Sequence, residues 1–215
     1  MTTADGFNSV WLDTDPFFRV TLGLAWDSLV RRGLPVGAAI STGAGEVLST
    51  GRNRVYDARG GADPLQRTPI AHAEMNALAS IPHGADLSGC IIYSTHRPCR
   101  MCDAAILFSE VGETRFLASD PSDVSPGETY SYFPGTDPRL GLAANVMFLH
   151  NVAAVAGPDS DTVVTNRIGE PEAVELALTL AERRTWSDHG DLSVEQAIGT
   201  VWTELSSINR NPPMP

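Results

Sequence analysis

Apolar residues recur at helical spacing through Phe18, Leu22, Ala25, Trp26 and Leu29, the stripe of an amphipathic helix. Asp13, Thr14 and Asp15 offer caps, Pro16 suits a first turn and Gly33 ends the run, so the pattern predicts a helix over about 16–32. Residues 36–41 read as a buried strand, Thr42-Gly43-Ala44-Gly45 as a turn, and 46–50 as a returning strand. A loop rich in Gly, Asp and Arg fills 53–69. A short helix is predicted over 70–80, a continuous apolar strand over 90–94, a third helix over 99–109 and a strand over 114–118. Strands alternating with helices place the chain in the α/β class.

Beyond Ser119 the pattern weakens. Residues 120–138, rich in Pro, Gly, Asp and Ser, read as a long loop. Runs at 152–156 and 162–165 read as short strands, and 170–184 and 192–208 as amphipathic helices. The expected organisation is a flexible arm at 1–12, a principal domain at 13–157, an acidic and mainly helical extension at 158–209 packed on that domain, and a disordered tail at 210–215.

Composition narrows the partners. No apolar run approaches the roughly 18 residues of a membrane span, and the N-terminus lacks the basic-then-apolar pattern of a secretory signal, so a cytoplasmic protein is expected. The net charge is -11, and all of the excess lies after Cys102. That balance disfavours a nucleic-acid partner, because such affinity comes largely from Lys and Arg neutralising phosphates. All 15 basic residues are arginine, which excludes Schiff-base chemistry and a lysine base.

The three cysteines are Cys90, Cys99 and Cys102, an odd count that makes a poor disulfide framework. Cys99 and Cys102 follow Pro98 at the start of a predicted helix, where both thiols project on one side. His72, at the start of another predicted helix, supplies a third ligand of a kind that suits Zn²⁺. Three protein ligands leave one position open, the mark of a catalytic rather than a structural site. Glu74, two residues from His72, can share that site only if the chain is just turning into its helix there; it is the candidate catalytic proton carrier. Two other readings use the same residues: a structural Cys₃His zinc that recruits Cys90, and a thioredoxin-like redox pair. Against the first, Cys90 opens an apolar strand; against the second, the C-x-x-C comes late in the chain.

His72-Ala73-Glu74, followed by Thr95-x-x-Pro98-Cys99-x-Met101-Cys102-x-Ala104-Ala105-Ile106, resembles the cytidine deaminase superfamily, in the branch that holds guanine, cytosine and tRNA adenosine deaminases. The resemblance covers about half the chain. It implies a three-layer α/β/α sandwich around a mixed, five-stranded sheet, one zinc per chain held by His72, Cys99 and Cys102, and frequent homodimers. It implies hydrolytic removal of an exocyclic amine from a small amino-heterocycle, with Glu74 shuttling the proton and Asn53 binding the substrate. One departure stands out: the branch commonly has Glu before Pro-Cys, where this chain has His96-Arg97. A non-catalytic, zinc-stabilised interaction module is the rival reading from another class, and a tRNA adenosine deaminase the rival within it.

Overall fold

The computed structural model describes residues 3–58, 61, 65–123, 134–186 and 190–208. The first element is already a departure. Where an arm is expected, helix α1 (Thr3–Asp13) places Phe7 and Trp11 one turn apart, and both rings are buried, Phe7 lying 4.9 Å from Trp202. Helix α2 (Pro16–Val30) begins as its sequence predicts: Asp15 accepts from the Phe17 N–H at 2.9 Å, and Pro16 occupies the first turn.

Strands β1 (Gly37–Ser41) and β2 (Val47–Arg52) form the expected antiparallel hairpin, closed by Gly45 at a φ of 82°. Strand β3 (Ile91–His96) pairs antiparallel with β1 and parallel with β4 (Glu113–Ala118), giving the order β2-β1-β3-β4. The sheet is mixed, as expected, but it has four strands among the described residues, not five. Past β4 the described chain returns as helix rather than strand.

Helices cover both faces. On one, α3 (Ala73–Ala79) and α4 (Arg100–Phe108) pack around Ala38, Ile40, Ile92 and Ile106. Gly51 permits this: a Cβ there would collide with the Ala73 carbonyl and the Ala77 nitrogen, so glycine lets α3 lie directly on β2. On the other face lie α2 and α5 (Pro138–Ala156). Their core holds Phe18, Tyr93, Leu117, Leu142 and Met147 and runs on into the C-terminal helices α6 (Asp161–Gly169), α7 (Pro171–Glu182), α8 (Val194–Thr200) and α9 (Trp202–Ser207).

Three expectations after Ser119 are corrected. The predicted strand at 152–156 is the end of α5, and the one at 162–165 lies within α6. The β-branched residues in each, Val152 and Val155 in the first and all four in the second, favour strands locally, and that preference yields to tertiary packing. The single helix predicted over 192–208 is two, because Val201 leaves helical geometry at φ -116° and ψ 11°. Helix α5 is long and apolar enough to cross a membrane by length and composition, with a mean hydropathy of 1.3, but 72% of that stretch is buried inside the fold. It is a core helix with no polar face. The expected disordered tail at 210–215 falls outside the described residues.

Candidate functional site

Two short helices start at the site, and their caps create it. His72 and Cys99 are the N-cap residues of α3 and α4, each in extended backbone conformation (φ -69°, ψ 160° and φ -65°, ψ 167°), and neither side chain bonds its own helix end. Helix α4 therefore starts at Arg100, one residue later than the sequence suggests, with Pro98 ahead of its cap. Cys102 stands three residues into its helix from Cys99, the relation in which side chains of a cap and the first turn meet. The Cys99 and Cys102 sulfurs lie 3.6 Å apart, and His72 Nδ1 is 3.5 Å from Cys99 Sγ and 3.6 Å from Cys102 Sγ.

This triangle fits a tetrahedral zinc. Zn–S bonds of about 2.3 Å and a Zn–N bond of about 2.0–2.1 Å place ligand sulfurs roughly 3.8 Å apart and sulfur and nitrogen roughly 3.6 Å apart. Among the described residues these three form the one His/Cys/Asp/Glu group close enough to hold a metal, and Cys90 is absent from it, buried with Ile92 and Ile106 instead. Burial, followed by Glu74 and Cys99 beside it, pushes the Cys102 thiol well up. A thiol so placed becomes a thiolate only next to a cation.

Glu74 meets the condition set by its spacing from His72. The chain enters α3 at His72, so the Glu74 side chain turns into the same cavity, where it is 3% exposed. Ser94 Oγ donates to its Oε1 at 2.9 Å. Burial raises the Glu74 pKa from the ordinary carboxylate range, opposed by the hydrogen bonds it accepts and by nearby His72. A carboxyl desolvated in this way holds a proton more readily than one in water.

Asn53, just past β2, is buried and lines the same cavity. Its backbone is anchored three ways: its N–H donates to the Val36 carbonyl at 2.9 Å, and its carbonyl accepts from Ser28 Oγ at 3.0 Å and Arg52 Nη1 at 3.1 Å. Arg52 is itself fixed by a two-pronged pair with Asp57 (2.9 and 2.6 Å) and by Asp27 at 2.9 Å. The Asn53 Oδ1 accepts from the Val55 N–H at 3.1 Å.

The remaining walls come from several parts of the chain: Leu34 and Val36 from the segment just before β1, His96 and Arg97 from the end of β3, Asp120 and Ser122 past β4, and Phe148 from α5. Asp120, which follows the fourth strand and reads from the sequence either as a solvated loop residue or as one that reaches the pocket, lines the cavity. Asp123 remains exposed, 3.9 Å from Arg100. His96 is buried, with burial lowering its pKa to about 4 against the attraction of Asp120. Two participants escaped the sequence reading. Ser94 sits on a strand read only as apolar, although its alternation with Tyr93 marks it as facing the opposite side. Phe148 lies 52 residues from His96, and no local signal connects them.

Residues 13–118 match the family described as the cytidine and deoxycytidylate deaminase zinc-binding region. The chain is 33% identical over 107 residues to the tRNA-specific adenosine deaminase of Aquifex aeolicus, a match covering 48% of this chain and 65% of that relative. It is 33% identical over 91 residues to the cytosine deaminase of Candida albicans, covering 41% and 55%. Among solved structures, guanine deaminase from Bacillus subtilis aligns at a TM-score of 0.41 and 27% identity, over 48% of this chain and 63% of that one. The chain thus spans less than two thirds of the length of each. Two helix caps and a first turn carrying His72, Cys99 and Cys102, with Glu74 between them, lie inside the matched region, and residues 13–118 belong to the cytidine and deoxycytidylate deaminase zinc-binding family.

Proposed function

We propose that the chain is a zinc-dependent hydrolytic deaminase of a small amino-heterocycle: a nucleobase, a nucleoside or a related ring. The observation that carries this reading is the buried Glu74 carboxyl, held by Ser94 in the cavity lined also by His72 and Cys99 of the His72, Cys99 and Cys102 group. A purely structural metal site has no use for it. Bound zinc supplies the Lewis acidity that makes water a nucleophile at neutral pH. Glu74 takes the proton of the attacking water and delivers it to the ring nitrogen and then to the leaving amine. A C–O bond forms at the carbon carrying the exocyclic nitrogen, the C–N bond breaks, and ammonia leaves. Asn53 orients the ring through its side-chain amide, and Leu34, Val36 and Phe148 exclude bulk water from one side.

In this reading residues 13–157 form the deaminase domain and 158–209 an extension packed on it, in a cytoplasmic protein whose thiols stay reduced. A homodimer is supported by Leu107 and Phe108, which are 78% and 90% exposed at the end of α4. The similarity to a tRNA-specific adenosine deaminase supports a second reading, in which the ring belongs to a tRNA.

The test is metal analysis together with ammonia release from cytosine, guanine, adenine and their nucleosides. About one zinc per chain and turnover of a free ring are expected. Release from a tRNA adenosine but from no free ring would move the reading to the tRNA-specific enzyme. Protein purified without chelators that holds no zinc would overturn both.

A further inference from the structure

His96 closes one wall of the cavity, and its ring is held from behind. Thr95 Oγ1 accepts from the Gly37 N–H at 3.3 Å and lies 3.1 Å from His96 Nδ1. The Thr95 hydroxyl can donate to Nδ1 or accept from it; the arrangement in which it donates places the imidazole proton on Nε2. That Nε2 is buried and has no hydrogen-bond partner. Asn145 from α5 lies beside the ring, its Oδ1 also buried and without a partner, its Nδ2 donating to Glu170 Oε2 at 3.3 Å. The ring thus lies beside two acceptors of α5, the Ala144 backbone and the otherwise unpaired Asn145 Oδ1. Glu170, at the junction of α6 and α7, fixes which end of the amide faces the ring.

We propose that Asn145 and Glu170, both beyond the region shared with the deaminase family, are positioning residues that hold His96 as its Nε2–H tautomer against Phe148, and so determine which ring the cavity accepts. The physical reason is the cost of a buried, unpaired polar atom, which drives the small approach that joins His96 Nε2–H to Asn145 Oδ1. The ring of His96 lies 5.4 Å from that of Phe148 at an interplanar angle of 59°, and both line the cavity that contains Glu74. A shift of the imidazole changes the shape of the wall while leaving the metal group in place. The selectivity part of the proposal rests on the deaminase reading; the contact does not.

Long-range proton–nitrogen spectra of the zinc-loaded full chain, labelled with ¹⁵N-histidine, read the tautomer directly. His96 is expected as Nε2–H in the wild type, with its signals displaced in Asn145→Leu and Glu170→Ala and restored in Glu170→Gln, which keeps an acceptor for Asn145. An Nδ1–H tautomer in the wild type, or signals unmoved by both disruptive variants, overturns the contact whether or not those variants are stable enough for kinetics. In parallel, the ratio of kcat/KM between the two best substrates of the ring panel is expected to change at least fivefold in Asn145→Leu and Glu170→Ala and to return in Glu170→Gln, with zinc constant at one per chain. A ratio that moves less than fivefold in the disruptive variants overturns the role in selectivity. No ammonia from the wild type with any substrate would instead sink the deaminase reading, and with it the role in selectivity, while the spectra still decide the contact.

Discussion

His150→Leu isolates the energy of one buried imidazole. His150 is 1% exposed on α5, 5.5 Å from the ring of Trp186, and neither of its nitrogens has a hydrogen-bond partner. Burial alone lowers its pKa to about 4, from about 6.5 in an unfolded chain. The folded state therefore keeps the ring neutral while the unfolded state takes up a proton. The associated stability is fully present above pH 6.5 and is lost as the pH falls toward 4. Over the whole window the loss is about 3 kcal/mol, and between pH 7.5 and pH 5 it is about 2 kcal/mol. Other groups shift over the same range. His96, lowered to about 4, acts in the same direction, whereas Glu170, raised to about 7 by burial, favours the folded state at low pH. These titrations are common to both proteins and cancel when the variant is compared with wild type at each pH. Leucine removes two unpaired polar atoms, so the variant starts at least level with the wild type at pH 7.5, and its advantage is expected to grow by about 2 kcal/mol at pH 5. Trp11, Trp26, Trp186 and Trp202 are all buried and report unfolding by fluorescence. For a urea m-value near 2 kcal/mol/M, the gap between the two midpoints widens by about 1 M. A gap that stays constant from pH 7.5 to pH 5 refutes the reasoning, since it would mean that His150 binds protons equally in both states.

The other predictions concern the site and its support. Glu74→Gln is expected to retain zinc, read by metal analysis, and to lose about 10²–10⁴-fold in kcat; full turnover would remove Glu74 from proton transfer. Asn53→Ala is expected to lower kcat/KM by about tenfold or more without releasing metal, the loss of one substrate hydrogen bond. Arg52→Met leaves the nearly buried Asp57 without its partner and is expected to destabilise the fold by about 3–5 kcal/mol in urea titrations. Because Arg52 also donates to the Asn53 carbonyl, kcat/KM is expected to fall as well.

What the sequence revealed depended on how local the signal was. His72, Cys99 and Cys102 were legible because zinc ligation forces thiols and an imidazole into short, fixed spacings at helix starts. Helix α2 was legible because its cap, its proline and its apolar stripe agree. Helix α5 was not, since Leu140 to Ala153 is apolar on nearly every side and shows no period. Its last turn, with Val152 and Val155, reads equally well as a buried strand. Helix α1 was missed for the opposite reason. Its stripe is sparse, and what stabilises it is the contact of Phe7 with Trp202, far away in the chain. The fifth strand came from family likeness, and the two runs after Ala118 that read as strands are helical. The walls from Asp120 and Phe148 depend on where β4 delivers the chain and on how α5 crosses behind it, information that no window of residues contains.

The placement of α5 also has a consequence for synthesis. The family-matched region ends at Ala118, while the apolar face of its sheet is sealed by a helix that begins only at Pro138. A chain emerging from the ribosome N-terminus first therefore completes its zinc ligands, and covers Tyr93 with Phe17 and Phe18 of α2, well before α5 can cover the β4 side of that face. During that interval a metal-competent half-protein presents a sticky surface to its neighbours, the circumstance in which chaperones are needed. A chain truncated after Ala118 would be trapped in that interval permanently.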